Sequence, residues 1–311
     1  MLENKIEEEY VYCNLSDLLL LNKQYQHNII ALRNSKNMKI KKYLNLLKKG
    51  NISGFCKEIK YRKYARKHFS TAANKTINSN KKNQSCKEKK IAVYCSIIGK
   101  YDNLIEPLIR EENIDYLMFT DQTVPRHSIW KKIDVTEFPE YKNLSSIELN
   151  RRIKMIPYDY LKGYDYTIYV DGNIQIVYGI RQTIEELNGT PLGIHYHPTR
   201  DCIYDEGVSV IHYSKANPDV VQQQLKQYKK DGFPVHYGMT ENSIIVREHN
   251  DVCTEELMRA WWDEYVKFPT RDQLILPYLM WKLEYSKEKF ASLGNNLECN
   301  PKFNRVQKHL V

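Results

Sequence analysis

Residues Tyr166 to Ile176, YTIYVDGNIQI, put three chemistry-bearing positions at the end of an apolar run. Thr167, Ile168, Tyr169 and Val170 favour a buried strand, which stops at Asp171, Gly172 and Asn173 before Ile174 and Ile176 resume the alternation. A carboxylate and an amide one residue apart offer hard oxygen ligands of the kind that hold Mg2+ or Mn2+ together with phosphates. At the carboxyl end of a strand in an open α/β sheet they stand where ligands bind. The competing reading is a strand ending in an ordinary D-G-N turn.

Further groups with chemical potential fall before and after this strand. FTD at Phe119–Asp121 ends a second apolar run in an acid that a nucleobase or ribose could engage, or that is simply solvated. LNRRIKMIP sets Arg151, Arg152 and Lys154 on a helix ahead of the Asp171 strand, where cations could face a diphosphate. At least one of the three belongs to a solvated face. GIHYHPTRDCIYDE crowds His195, His197, Arg200, Asp205 and Glu206 into what reads as an irregular, substrate-contacting segment. Its two histidines, spaced i and i+2, would share one face of a strand and could bind metal, or be ordinary buried histidines. Thr240-Glu241-Asn242-Ser243 opens the strand IIVRE, and Arg271-Asp272-Gln273 opens a late helix. Asp272 there is either an N-cap or a carboxylate for sugar hydroxyls or for an acceptor proton.

Positioning these groups requires an alternation of strands and helices. IAVYCSII from Ile91, DYLMFTD at Asp115–Asp121, residues 130–135, the Asp171 strand and SIIVRE at Ser243–Glu248 read as strands. SSIELNRRIKMIPYDYL, ended or kinked by Pro157, TEELMRAWWDEYVKF and RDQLILPYLMWKL read as helices. Such alternation predicts an α/β fold with a mainly parallel sheet flanked by helices. Ahead of it, residues 14–34, 38–49 and 55–69 carry helical periodicity, and 70–90 are polar and low in complexity. The expected organisation is a basic helical extension over 1–69, a linker over 70–90 and a catalytic domain over 91–311.

Charge divides along the same line. The chain's +9 splits into 21 Lys/Arg against 7 Asp/Glu in residues 1–90 and 26 against 31 thereafter. The 42% hydrophobic content suffices for a core, and 24 tyrosines suit wet, amphipathic sites such as those for sugars. Seven widely spaced cysteines without CxxC argue against a disulfide framework or structural zinc. Four glutamates within the first nine residues leave no positive n-region, so a cytoplasmic protein is expected, peripheral on the inner face of a membrane if the basic arm binds lipid. That arm, residues 36–69, reads as a surface for anionic membrane, as a helical hairpin that packs on the body or dimerises, or as a solvated extension. Binding of nucleic acid through it is the weaker reading, because it leaves the acidic, motif-bearing body unexplained.

Six segments in one order, IAVYCSIIGKYDNL, DYLMFTD, NRRIKMIP, DYTIYVDGNIQI, HPTRDCIYDE and RDQLILPYLMWK, resemble the glycosyltransferase-like domain of the TOD/MUCI-type proteins and bacterial polysaccharide-cluster proteins. The resemblance covers residues 91–285, and its pattern itself carries Asp-Gly-Asn. ENSIIVR, AWWDEY and RDQ are more distantly similar to galactosyl- and xylosyltransferases of the GT-A fold. The resemblance implies a GT-A-like fold and a nucleotide-sugar donor, with a glycan or lipid-linked glycan as acceptor. It assigns Asp171 and Asn173 to a divalent cation, Mn2+ or Mg2+, with His309 as a late third ligand. Asp121, Arg152, Lys154 and Asp171 would bind the donor. Asp272 and Asn242 would hold the transferred sugar or acceptor. His197, Arg200, Glu206 and Gln273 would supply further sugar contacts. An inert sugar-binding module on the same fold is the alternative.

Overall fold

A computed structural model describes residues 36–68, 89–294 and 296–306. The periodic segment 14–34, nearly all of the polar linker and His309 lie outside the described residues.

Two basic helices, α1 (Lys36–Lys48) and α2 (Ile52–His68), form a hairpin. Gly50, at φ +65°, makes the left-handed turn between them that a side chain resists. The body begins with β1 (Ile91–Ile97), β2 (Ile114–Thr120), β3 (Lys131–Asp134) and α3 (Ser146–Met155), followed by β4 (Tyr166–Val170) and β5 (Ile174–Ile176). It continues through α4 (Gln182–Glu185), β6 (Leu192–Tyr196), α5 (Ile203–His212), α6 (Pro218–Lys230), β7 (Thr240–Glu248), α7 (Val252–Lys267) and α8 (Asp272–Lys282). Two short strands, β8 (Phe290–Ser292) and β9 (Phe303–Arg305), close it.

Seven strands make one sheet in the order β3-β2-β1-β4-β7-β6-β8, and β5 pairs separately with β9. Within the seven-stranded sheet, pairing is parallel from β3 to β4 and between β6 and β8, and antiparallel where β7 meets β4 and β6. The expected mainly parallel α/β fold is therefore present. Every residue of β1 is buried, because both sheet faces are covered. Ala92 and Tyr94 enter one apolar cluster with Leu149, Trp261 and Leu276, while Val93 and Cys95 enter the other with Ile174, Leu293 and Phe303.

Helix α3 starts at a capping box. Ser145 Oγ accepts from the Glu148 amide, and the Glu148 carboxylate accepts from the Ser145 amide at 2.8 Å. It ends before Pro157, which begins a separate 3-10 turn, Pro157–Asp159. The segment that reads as irregular around Arg200 to Glu206 becomes helical at Ile203. Gly207 lies inside α5, where a Cβ would come within 2.3 Å of Leu225 Cδ1 on α6. That glycine permits close helix packing rather than breaking the helix.

The hairpin rests on α5. Glu58 of α2 accepts from Lys42 at 2.9 Å and Arg62 at 2.7 Å, and pairs with His212 Nε2 at 2.8 Å. Tyr61 stacks on His212 with centroids 4.0 Å apart, and the Tyr64 hydroxyl donates to Asp205 at 3.0 Å. Of the sequence-based alternatives for the arm, a hairpin packed on the body is the arrangement observed.

Candidate active site

The parallel strands β1 and β4 end at the floor of a cleft of about 350 Å³. Its walls come from the Gly99–Asp102 turn, the first two turns of α3, the start of β7 and the start of α8. Beyond β4 the Asp171 amide donates to the Ser243 carbonyl at 2.9 Å, which carries the β4–β7 pairing into the cleft. Gly99 at φ +69° allows the turn after β1 to reverse, and its amide donates to both Asp121 oxygens at 3.1 and 3.2 Å. Asp121 also accepts from Tyr141, so it buttresses this turn and does not line the cleft.

Lys154 organises the floor. Its ammonium, 2% exposed, donates to Asp272 Oδ2 at 2.6 Å and lies 3.5 Å from Asp171 Oδ1. It also stands 5.0 Å above the Tyr169 ring, whose hydroxyl donates to the same Asp171 oxygen at 2.8 Å. Arg151 approaches Asp272 at 3.8 Å from the cleft side. Burial alone would raise the Asp272 pKa, but Arg151, Lys154 and Arg271 outweigh it and hold the carboxyl well below the ordinary range. Burial, reinforced by Asp171, pushes the Tyr169 phenol far above its usual pKa, so it remains a donor. Asp272 is the first residue of α8, the helix cap being Arg271, and its side chain serves Lys154 rather than the helix end.

The far wall mixes charge and amide. Glu241 accepts from Ser243 Oγ at 2.6 Å and from Gln273 Nε2 at 3.1 Å. Burial opposes its ionisation, yet Arg305, His197 and Arg271 together keep its pKa below the ordinary value. Asn242 lines the cleft at 1% exposure, and both its side-chain nitrogen and oxygen are buried without a hydrogen-bond partner. Arg271 Nε is likewise unpartnered. Lys215, following the left-handed Ser214 at φ +54°, completes the cationic rim with Arg271.

Residues 52–308 match the family described as TOD1/MUCI70, glycosyltransferase-like domain. The chain belongs to this family. The family segment opens within the arm, at the first residue of α2, so the docked helix lies inside it. No curated protein matches the chain significantly. Among solved structures, apo mouse xyloside xylosyltransferase 1 is similar at 10% identity and TM-score 0.37, over 64% of this chain and 83% of its own. The apo bifunctional glycosyltransferase WbbM is similar at 15% identity and TM-score 0.42, over 66% of this chain and 39% of WbbM.

Within this TOD1/MUCI70 domain, the cleft gathers Lys154, Asp171, Asn242, Asp272 and Gln273 from the sequence-derived set. Arg152 turns away from the cleft, to Asp159 at 3.0 Å and Tyr160 at 3.1 Å, with its guanidinium 5.5 Å from the centre of the Trp262 ring. Its neighbour Arg151 takes the inward position, one step around the helix. Asn173 is buried at 3% and is not part of the lining. His197, Arg200 and Glu206 form their own cluster beside the cleft: His197 Nδ1 accepts from the Arg200 amide at 3.1 Å, and Arg200 pairs with Glu206. His195 pairs instead with Asn300 at 2.9 Å, so the two histidines do not converge on one metal. Asp102, Arg151, Glu241 and Lys215 are cleft residues to which the family resemblance gave no role; Asp102 and Lys215 sit in turns that look ordinary as sequence.

Among the described residues no group of three or more His, Cys, Asp or Glu side chains could hold a metal ion. Asp171 and Asp102 nevertheless flank Gly172, where a Cβ would come within 2.9 Å of Asp102 Oδ2. Two hard carboxylates, with a glycine between them whose missing side chain leaves room for Asp102, suit a cation that takes its remaining ligands from substrate phosphates and water. No described helix is long and apolar enough to cross a membrane.

Proposed function

We propose that this glycosyltransferase moves a sugar from a nucleoside-diphosphate donor to a hydroxyl of a glycan or lipid-linked glycan, in surface polysaccharide synthesis. The observation that carries the reading is the cleft at the strand ends, where carboxylates Asp102, Asp171, Glu241 and Asp272 alternate with Arg151, Lys154, Arg271 and Lys215. Carboxylates and an unpartnered amide suit sugar hydroxyls, and the cationic rim suits a diphosphate.

In such a transfer the acceptor hydroxyl oxygen bonds to the anomeric carbon as the bond to the phosphate oxygen breaks, the hydroxyl proton leaves to the departing diphosphate or to water, and negative charge grows on that diphosphate. Arg271 and Lys215 would meet that charge at the rim, preorganised and needing little solvent reorganisation. Asp272, kept ionised by its cations, is a poor proton acceptor at neutral pH, so its proposed part is to orient a sugar hydroxyl and not to deprotonate the acceptor. Asn242 would accept and donate to adjacent hydroxyls. Asp171 with Asp102 would hold Mn2+ or Mg2+, which when bound supplies Lewis-acid stabilisation of the leaving diphosphate.

The test is release of nucleoside diphosphate from a panel of nucleotide sugars, with Mn2+, with Mg2+ and with EDTA. Turnover that EDTA removes and Mn2+ restores is the expected outcome. Full turnover in EDTA would assign the diphosphate to Lys215, Arg271 and Arg151 alone. Thermal stabilisation by a donor without any turnover would instead identify an inert sugar-binding module.

A further inference from the structure

Away from the cleft, the densest unassigned chemistry is on the α1–α2 hairpin. Residues 36–68 hold twelve Lys/Arg and one acid, Glu58. Glu58 faces inward to Lys42, Arg62 and His212, which leaves the outer charge unbalanced. On α1, Tyr43 turns onto Phe55 of α2, with centroids 5.6 Å apart. Ile40, Leu44 and Leu47, spaced i, i+4, i+7, remain 51%, 50% and 48% exposed, and Ile52 is 68% exposed. Lys48, Lys49, Lys57, Lys60, Lys63 and Lys67 are exposed as well. Singly exposed aliphatic residues are ordinary, but a helix-spaced stripe among lysines is the pattern of a helix lying in a lipid interface.

We propose that this hairpin docks on an anionic lipid surface, with the α1 stripe at the headgroup–acyl boundary and the lysines on the headgroups, and that docking seats the cleft beside the membrane. The second half rests on how the hairpin is rooted. Tyr61 stacks on His212 and meets Tyr213 edge-on at 5.4 Å. Lys215, two residues further on, lines the cleft. The α5 terminus thus joins the lipid-facing helices directly to the cationic rim. A nucleic acid would use the charge but leave the apolar stripe in water, so lipid accounts for both features. The location of the acceptor rests on the transferase reading; lipid binding does not.

Co-sedimentation of the full chain with phosphatidylcholine vesicles, with and without phosphatidylglycerol, tests the proposal. Binding is expected to the anionic vesicles only, and salt should reverse it. The triple variant Ile40→Glu/Leu44→Glu/Leu47→Glu should weaken that binding about tenfold or more. Its melting temperature and its turnover of a soluble acceptor should stay unchanged. Four results would overturn the idea. The full chain ignores anionic vesicles at low salt; the triple variant binds as well as the parent; the variant melts earlier without lipid, which would mean the chain itself covers the stripe; or single-stranded RNA binds more tightly than vesicles and equally to both proteins. A parent chain that binds anionic vesicles but turns over no donor would count against the transferase reading alone.

Discussion

At the scale of residues, the floor of the cleft is a buried cation shared between two carboxylates that are not equivalent. Asp272 is 2% exposed, whereas the Asp171 side chain retains 20% exposure and divides its nearer oxygen between Tyr169 and Lys154. Asp272→Asn should lower kcat on the order of 100-fold while changing donor KM little, since a contact that strengthens in the transition state shows in kcat. The same change leaves Lys154 short of its closest charge partner and should cost about 3–5 kcal/mol in urea unfolding at neutral pH. Because the Asp272 pKa is depressed in the fold, its contribution is fully present above the unfolded carboxylate pKa and fades as acid protonates it. The gap between parent and variant should therefore stay flat from neutral pH to about pH 5 and narrow only below about pH 4. A gap that instead closes between pH 8 and 6, or an unchanged kcat, would mean that Asp272 does not orient the sugar as an ionised carboxylate. Asp171→Ala strands the buried Tyr169 hydroxyl and should cost about 1–3 kcal/mol.

At the scale of elements, the turn after β1 and the start of α3 act as one unit. Gly99 is left-handed, and a Cβ there would sit 2.6 Å from Ser146 Oγ. Gly163, at φ +75° with nothing within 4 Å of such a Cβ, provides a matched control outside the cleft. Gly99→Ala and Gly163→Ala should each lose about 1–2 kcal/mol of stability from the strained backbone. Only Gly99→Ala should raise donor KM, because it displaces α3 from the cleft wall; equal kinetics in the two variants would mean that Ser146 yields without moving the helix. This unit was legible in the sequence as far as IAVYCSIIGKYD reads as a buried strand opening into a glycine turn. Its other half was not. Which of Arg151, Arg152 and Lys154 faces inward depends on how α3 rolls against α7, and a cluster of neighbouring cations does not record that. Helix α5 was hidden for a related reason: the charged residues from His195 to Glu206 read as one irregular segment, until α2 is packed against Asp205 and α6 against Gly207. Lys215 reached the cleft through a fold-back that local sequence does not encode, whereas Asp171 and Asp272 could be found because strand ends and helix starts announce themselves.

On the scale of the whole molecule, the chain joins a basic hairpin to an acidic body, and the buried acid Glu58 sits at the seam. Glu58 is 2% exposed and is engaged from both sides: by Lys42 and Arg62 in the hairpin and by a hydrogen bond with His212 in the body. Burial by itself would raise its pKa, but the hydrogen bonds from Lys42 and His212 and the charges of Lys42 and Arg62 reverse the shift and leave it lowered. A depressed carboxyl stabilises docking above its unfolded pKa and ceases to do so as pH falls through the folded value. The hairpin should therefore be held at neutral pH and loosen in acid. Glu58→Gln keeps the size and polarity of the side chain but removes the charge that collects three partners. Amides of residues 52–64 should then exchange about tenfold faster or more at pH 7, and their protection should no longer fall as pH drops below about 4. Amides of β1 and β4, buried on both faces, should exchange at the parental rate. If acceleration spreads equally to β1, the hairpin is part of the cooperative core and not a docked element. If residues 52–64 keep parental protection, the stack of Tyr61 on His212 and the Tyr64–Asp205 bond hold the seam without Glu58.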